Sequence, residues 1–177
     1  GGDLEKDSIE IAHVSLAAGT EVNKTNKYGT PIHYTSHFKD LETVTILLAA
    51  GAEVKVTDND GDTPLHLASY NGSYNGHLEV VNFLLAIGVE VNKTSNNGST
   101  PLHLASYNGR FEVVKSLIQV KTDVRILNNQ GKSPVDIART NEIREFIHQY
   151  HPWQRHRSLI LTRPHADHAT NKAHKLI

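Results

Sequence analysis

The chain has 177 residues with a net charge of −1 and 38 % hydrophobic residues, enough for one sizeable buried core and far from a disordered composition. It contains no cysteine, which excludes disulfides, thiolate metal sites and a thiol nucleophile. No apolar run approaches the roughly 18 residues that span a bilayer; the longest, such as Val44–Ala52, have the length of buried helices, and no secretory signal is visible. The chain opens Gly-Gly and has no methionine, so it reads as a fragment or a processed chain, and the missing signal says little about location.

In chain order, Ser8–Val22 reads as a helix and exit loop, with Gly19 ending the helix. Thr30-Pro-Ile-His33 then opens a motif that returns as Thr63-Pro-Leu-His66, as Thr100-Pro-Leu-His103 and, weakened, as Ser133-Pro-Val-Asp136, at spacings of 33, 37 and 33 residues. Proline suits a first helical turn, where its missing N–H is no loss, and the preceding Thr can cap that helix. The His can hydrogen-bond the Thr and the backbone of the next unit, tying neighbours together. Behind each motif comes a second segment with apolar residues at helical spacing, such as Leu78–Leu85. Gly51 and Gly88 follow these segments, where a left-handed residue ends a helix cheaply. Lys121 stands at the same place, and a left-handed lysine costs about 1 kcal/mol. Glu21-Val22-Asn23, Glu53-Val54-Lys55, Glu90-Val91-Asn92 and Asp123-Val124-Arg125 keep the same phase, and Asn59-Asp60-Gly61 and Asn96-Asn97-Gly98 are turn formers.

The unit is therefore turn, helix, turn, helix, repeated. Two irregularities stand out. Gly29 runs straight into Thr30, so the first turn is one residue short. Ser69-Tyr-Asn-Gly72 is followed at once by Ser73-Tyr-Asn-Gly76, a tandem duplication expected to lengthen the connection between two helices, since loop closure cost rises slowly with length.

The pattern resembles the ankyrin repeat, with its Thr-Pro-Leu-His-x-Ala signature. Thr63–Ala68 and Thr100–Ala105 match it completely, Thr30-Pro-Ile-His-Tyr-Thr35 with conservative drift, and Ser133-Pro-Val-Asp-Ile-Ala138 with the His lost, as in a terminal capping repeat. The resemblance covers roughly residues 7–150. It implies an all-α repeat solenoid of helix-turn-helix units with hairpin-like fingers over residues 1–150, with a partial repeat at 1–29 and repeats starting near 30, 63, 100 and 133. Residues 151–177 form a separate basic, His-rich tail.

The resemblance also implies a non-catalytic interaction scaffold that binds a partner protein on the concave face, as a monomer in the cytoplasm or nucleus. Carried over position by position, the finger tips are Lys27 and Tyr28, then Asn59, Asp60 and Asp62, then Asn96, Asn97 and Ser99, then Asn129, Gln130 and Lys132. The inner helix ends are His37 and Phe38, Tyr70 and Asn71, and Tyr107 and Asn108. Phe38, Tyr70 and Tyr107 fall within one residue of a common phase, and aromatics are enriched at binding hot spots; the competing reading is that the tyrosines pack on the next repeat. Asp58, Asp60 and Asp62 beside them favour a partner with basic character. His33, His66 and His103 invite a metal or catalytic reading, but one per repeat at roughly 10 Å is too far apart to share an ion, and their motif assigns them to structure. No phosphate loop, Gly-x-Ser-x-Gly elbow or His-Glu-x-x-His helix is present, so no catalytic residue, metal site or cofactor is expected.

The tail from Trp153 carries five Lys/Arg and one Asp, so the remainder of the chain holds −5 of the net charge. It reads as a linker or truncated next domain, as a binder of acidic surfaces or nucleic acid through Arg155, Arg157 and Arg163, or as a metal site through His165, His168 and His174. The acidic body weighs against nucleic acid. A further reading makes the repeats the substrate-recognition arm of a larger enzyme.

Overall fold

The computed structural model describes residues 22–26, 29–38, 40–71 and 75–150, Asn75 and Gly76 by backbone only. Three helix pairs follow one another: α1 Pro31–His37 with α2 Leu41–Ala49, α3 Pro64–Asn71 with α4 Asn75–Ala86, and α5 Pro101–Tyr107 with α6 Phe111–Gln119. A fourth unit has a turn at 134–137 in place of its first helix, followed by α7 over residues 141–150. The first helices stack α1 on α3 on α5, and the second helices stack α2 on α4 on α6. Among the described residues there is no β-strand, only an isolated bridge between Asn26 and Gly29. The architecture is an all-α repeat solenoid, as the repeat pattern predicts.

Each first helix is short, and its start is fixed by the same device. The backbone N–H of Thr30, Thr63 and Thr100 donates to Nδ1 of His33, His66 and His103, each at 3.1 Å. A backbone N–H can only donate, so Nδ1 must be unprotonated and the neutral ring carries its hydrogen on Nε2. That hydrogen is given to the next repeat: His33 Nε2 to the Asp62 carbonyl at 3.1 Å, His66 Nε2 to Ser99 at 3.0 Å and His103 Nε2 to Lys132 at 3.1 Å. All three rings are fully buried. In the fourth unit Asp136 replaces the imidazole. Its Oδ2 accepts from the Ser133 N–H at 2.8 Å and hydroxyl at 2.6 Å, which reproduces the inward half of the contact. A carboxylate offers no donor for an outward link.

The core lies between the two helix layers. One cluster runs from Val44 through Leu65, Leu84, Leu102 and Leu117 to Ile143 and Ile147, and a smaller one joins Ile32, Leu47 and Ala52. Each such fully buried aliphatic side chain contributes roughly 1.5–3 kcal/mol relative to exposure. In the fourth unit Asp136, Arg139, Thr140, Glu142 and Glu145 are exposed, so much of its described surface is polar. Counted from the motif, Thr140-Asn141-Glu142 stands where the third repeat has Tyr107-Asn108-Gly109, so the glycine turn that follows α5 has no counterpart. Thr140 Oγ1 accepts from the Ile143 N–H at 3.3 Å, so the second helix starts without a glycine turn.

The duplication behaves differently from a loop. α4 has 12 residues where α2 and α6 have nine, so Asn75, Gly76 and His77 form an extra first turn of the helix. The insert is thus divided, its end absorbed into α4 rather than left wholly in the connection. His77, now inside a helix, is buried, and its Nε2 lies 2.9 Å from the His37 carbonyl of the preceding repeat. Arg110, one repeat on, donates from Nε to the Tyr70 carbonyl at 3.2 Å. The two bonds are equivalent in phase, so the inserted turn keeps the ordinary inter-repeat link.

Deleting Ser73–Gly76 leaves the sequence Ser-Tyr-Asn-Gly-His, the counterpart of Ser106-Tyr-Asn-Gly-Arg110. The deletion should change unfolding free energy by no more than about 1 kcal/mol in a urea titration, with the slope preserved; a broadened transition would show that the extra turn is part of the core. Lys121 gives a sharper test. Gly51 and Gly88 leave their helices at φ +90° and +79°, and Lys121 does so at +66°, closing the same turn with its N–H on the Ile118 carbonyl at 2.9 Å. Lys121→Gly should raise stability by about 1 kcal/mol, read as a higher urea midpoint; a lower midpoint would mean that the lysine side chain contributes more than the strain costs.

Candidate functional site

The second, third and fourth fingers are hydrogen-bonded turns set by one side chain each. Asp58 Oδ1 accepts from the N–H groups of Asp60 and Asp62, both at 2.9 Å, and the turn closes through Asp58 N–H to the Asp62 carbonyl at 3.0 Å. Asn128 does the same for Gln130 and Lys132, both at 3.0 Å. In the third finger the role moves to Asn97, whose Oδ1 accepts from the Ser99 N–H and the Ser95 hydroxyl, both at 2.9 Å. The first finger is shorter, as the missing residue predicts: Asn26 and Gly29 exchange both backbone bonds, at 3.0 and 3.2 Å. Its tips, Lys27 and Tyr28, lie outside the described residues, as does the whole tail with Arg155, Arg157, Arg163, His165, His168 and His174.

Neighbouring fingers are joined edge to edge. Asn96 donates its N–H to the Asp60 carbonyl and its side-chain amide to that of Asn59, both at 2.9 Å. Asn129 repeats the pair on the carbonyls of Asn97 and Asn96, again at 2.9 Å. The approach is close enough that a Cβ on Gly61 would sit 2.5 Å from Asn96 Oδ1, and one on Gly98 2.5 Å from Asn129 Oδ1. Thus Asn96 and Asn129 commit their amides to the finger row and stay exposed along it with Asn59, Asp60, Asn97, Gln130 and Lys132, whereas the expected tips Asp62 and Ser99 are half-buried and buried.

At the far end of the inner helices, seven residues and roughly 10 Å from each capping Thr, the expected residues divide in the same way. Tyr70 and Tyr107 are 45 % and 62 % exposed, among the most exposed large hydrophobics described. Phe38 is half-buried, its ring edge-on to His37 at 4.9 Å. Asn71 Nδ2 lies 2.7 Å from His37 Nδ1, tying the first and second repeats, and Asn108 Nδ2 donates to the Leu104 carbonyl at 2.8 Å. Sequence reasoning missed the reach of His77 and Arg110 to the preceding repeat. Their shared place just before the second helix core, one in each of two consecutive repeats, was the available signal.

Charge on this face is uneven. Burial, with the neighbouring Asp58 and Asp60 carboxylates adding to it, pushes the Asp62 carboxyl up to about 7, against a hydrogen bond from Ser95. Burial also brings His66 down to about 4 and lowers His33 and His103. Among the described residues no three or more His, Asp or Glu side chains gather as a metal site, and no helix is long and apolar enough to cross a membrane.

These shifts act on stability in opposite senses. The folded histidines titrate below the unfolded value of 6.5, so the unfolded chain binds their protons first. Their contribution is present above about pH 6.5 and is lost on acidification, for His66 down to about pH 4 at ~1.4 kcal/mol per pH unit. Asp62 titrates above its unfolded value of 3.8, so between about pH 7 and 4 it favours the folded state increasingly as pH falls. Asp62→Asn should therefore raise stability at pH 8 and steepen the acid loss between pH 6.5 and 4, followed by urea midpoints at each pH. Parallel curves for the two proteins would remove the Asp62 charge from the account.

The sequence profile of the family described as ankyrin repeats (three copies) matches residues 4–92 and 72–149. Over 64 residues the chain is 33 % identical to an ankyrin repeat protein of Fowlpox virus (strain NVSL), covering 36 % of this chain and 34 % of the relative. It is 32 % identical over 63 residues to an ankyrin repeat protein of Acanthamoeba polyphaga mimivirus, covering 35 % of this chain and 9 % of that protein. It is 40 % identical over 73 residues to the Neurogenic locus Notch protein of Drosophila melanogaster, covering 38 % of this chain and 3 % of that one. The chain thus spans about a third of the fowlpox relative and far less of the other two. With capped helix pairs, a histidine link from repeat to repeat and a profile match over most of its length, the chain belongs to the ankyrin-repeat family.

Proposed function

We propose that the chain is a non-catalytic protein-interaction module whose partner docks across the fingers and the inner helix ends, anchored on Tyr70 and Tyr107. One observation carries this reading. Two tyrosines at the same phase of consecutive repeats are exposed, while Leu65, His66, Ala68 and Ser69 of α3 and Leu102, His103, Ala105 and Ser106 of α5 are buried. The buried contacts of the stack lie on the rest of each helix, which supports a role for the two tyrosines outside it. Tyrosine suits that use, because it brings a large contact area with few rotors to order. Ankyrin repeats generally serve as protein-binding modules, which agrees with this use of the face.

The test pairs binding with folding. A partner captured on the immobilised full chain is titrated against the unmodified protein and against Tyr70→Ala/Tyr107→Ala. The double variant should bind more weakly by roughly 2–4 kcal/mol, about 30- to 1,000-fold, and its urea midpoint should hardly move. Unchanged affinity, or a loss of folding matching the loss of binding, would make the tyrosines stacking residues and place the partner elsewhere.

A further inference from the structure

Each exposed tyrosine at an inner helix end has an arginine of the following repeat beside it. Arg110 donates from Nε to the Tyr70 carbonyl at 3.2 Å. Arg139 donates its backbone N–H to the carbonyl of Ser106, the residue before Tyr107, at 2.9 Å. Its Cδ, Cβ and Cγ lie 3.3, 3.7 and 3.8 Å from where a Cβ on Gly109 would stand, so the stem is laid along the turn that leaves Tyr107. Arg110 is half-buried and Arg139 exposed. Among the described residues no carboxylate pairs with either guanidinium: Glu112 is held by Lys115 at 2.6 Å and Asp123 by Arg125 at 3.0 Å. The carboxylates of Asp58, Asp60 and Asp62 belong to the other end of the inner helix, where Pro64 to Tyr70 adds roughly 10 Å of helix between them and Arg110.

Resting on the docking reading above, we propose that the inner helix ends take an acidic stretch of a partner protein, with apolar side chains against Tyr70 and Tyr107 and carboxylates on Arg110 and Arg139. Charge complementarity carries the choice of partner. Arg110 spends Nε on the Tyr70 carbonyl, which leaves its two Nη groups to meet a carboxylate end-on in charge-assisted bonds. The Arg139 stem already rests on the turn at Gly109, so both guanidiniums are partly ordered before a partner arrives and less freedom is lost on binding. A tyrosine beside each cation supplies the apolar area that a lone surface charge lacks. Two arginines on an otherwise acidic body do not make the continuous positive stripe that a nucleic-acid backbone requires.

The test is a selection of random 12-residue peptides displayed on phage against the immobilised full chain, followed by titration of synthetic copies of the enriched peptides at pH 8. The variant Arg110→His/Arg139→Gln removes both permanent charges. An imidazole is neutral at pH 8 and can keep the inter-repeat bond as His77 does to the His37 carbonyl, while glutamine keeps part of the stem over Gly109. Enriched peptides should be rich in Asp and Glu with apolar residues among them. They should bind the variant at least tenfold more weakly, with its urea midpoint unchanged. If the double variant unfolds, Arg139→Gln alone carries the test, with at least a threefold loss expected. Peptides that lose affinity with Tyr70→Ala/Tyr107→Ala yet ignore the arginine variant overturn the acidic partner and leave the docking face standing. Peptides indifferent to both variants overturn both readings. No enrichment overturns the short acidic stretch and leaves the face to a folded partner. A labelled twelve-nucleotide oligothymidylate that binds more tightly than the peptides, and loses affinity with the arginine variant, overturns the choice of a protein.

Discussion

The neutral imidazole that joins one repeat to the next is the contact on which the rest of the stack depends. Its Nδ1 receives the Thr N–H that opens its own helix, and its Nε2 gives a hydrogen to the carbonyl that ends the following finger. One side chain thereby sets a helix start, a finger position and the separation of two repeats. Burial keeps the ring uncharged, and only the uncharged ring can accept on one nitrogen while donating on the other. A protonated ring would turn two donors toward each other at the Thr. In the fourth unit Asp136 keeps the inward contact, and as a carboxylate it offers no outward donor.

Much of this was legible in the sequence, because the motif couples residue type to position so tightly. Thr, Pro and His at fixed spacing state a cap, a first turn and a link at once, and three of the motifs, 33 and 37 residues apart, stand at the starts of α1, α3 and α5. Phase alone puts Lys121 in the place of the helix-ending glycine, and it keeps the left-handed conformation there, at φ +66°. The four-residue duplication was harder. Asn-Gly pairs favour turns by local chemistry, but α4 already had a helical frame from Leu78 onward, and extending it let His77 reach the carbonyl that Arg110 reaches one repeat later. Tertiary register overrode the local preference. The fourth repeat shows the reverse: Pro134 promised a helix, and the loss of the glycine turn after it left too few residues for one.

The candidate face was legible in outline and not in its division of labour. Phase alone places Asn59, Asn96 and Asn129 as equals at the finger tips. In the fold, Asn96 and Asn129 each use an amide to hold the finger before them. Spacing does not announce that role, because any small, polar, turn-tolerant residue would fit the phase. The tyrosines differ in kind. Their exposure follows from the end of the helix they occupy, where the chain turns toward the second helix and the next repeat offers no cover.

Asp62 gives a separate line of argument about what shaped this surface. The equivalent position carries Ser99 in the third finger and Lys132 in the fourth, either of which spares the turn a third carboxylate. The second finger instead keeps three, and burial with mutual repulsion holds Asp62 near neutrality in its titration. A turn built for stability alone would use a neutral residue there, since Asp58 already supplies the oxygen that both backbone N–H groups require. The third carboxylate therefore costs the folded protein stability at neutral pH, and nothing in the hydrogen bonding of the turn requires it.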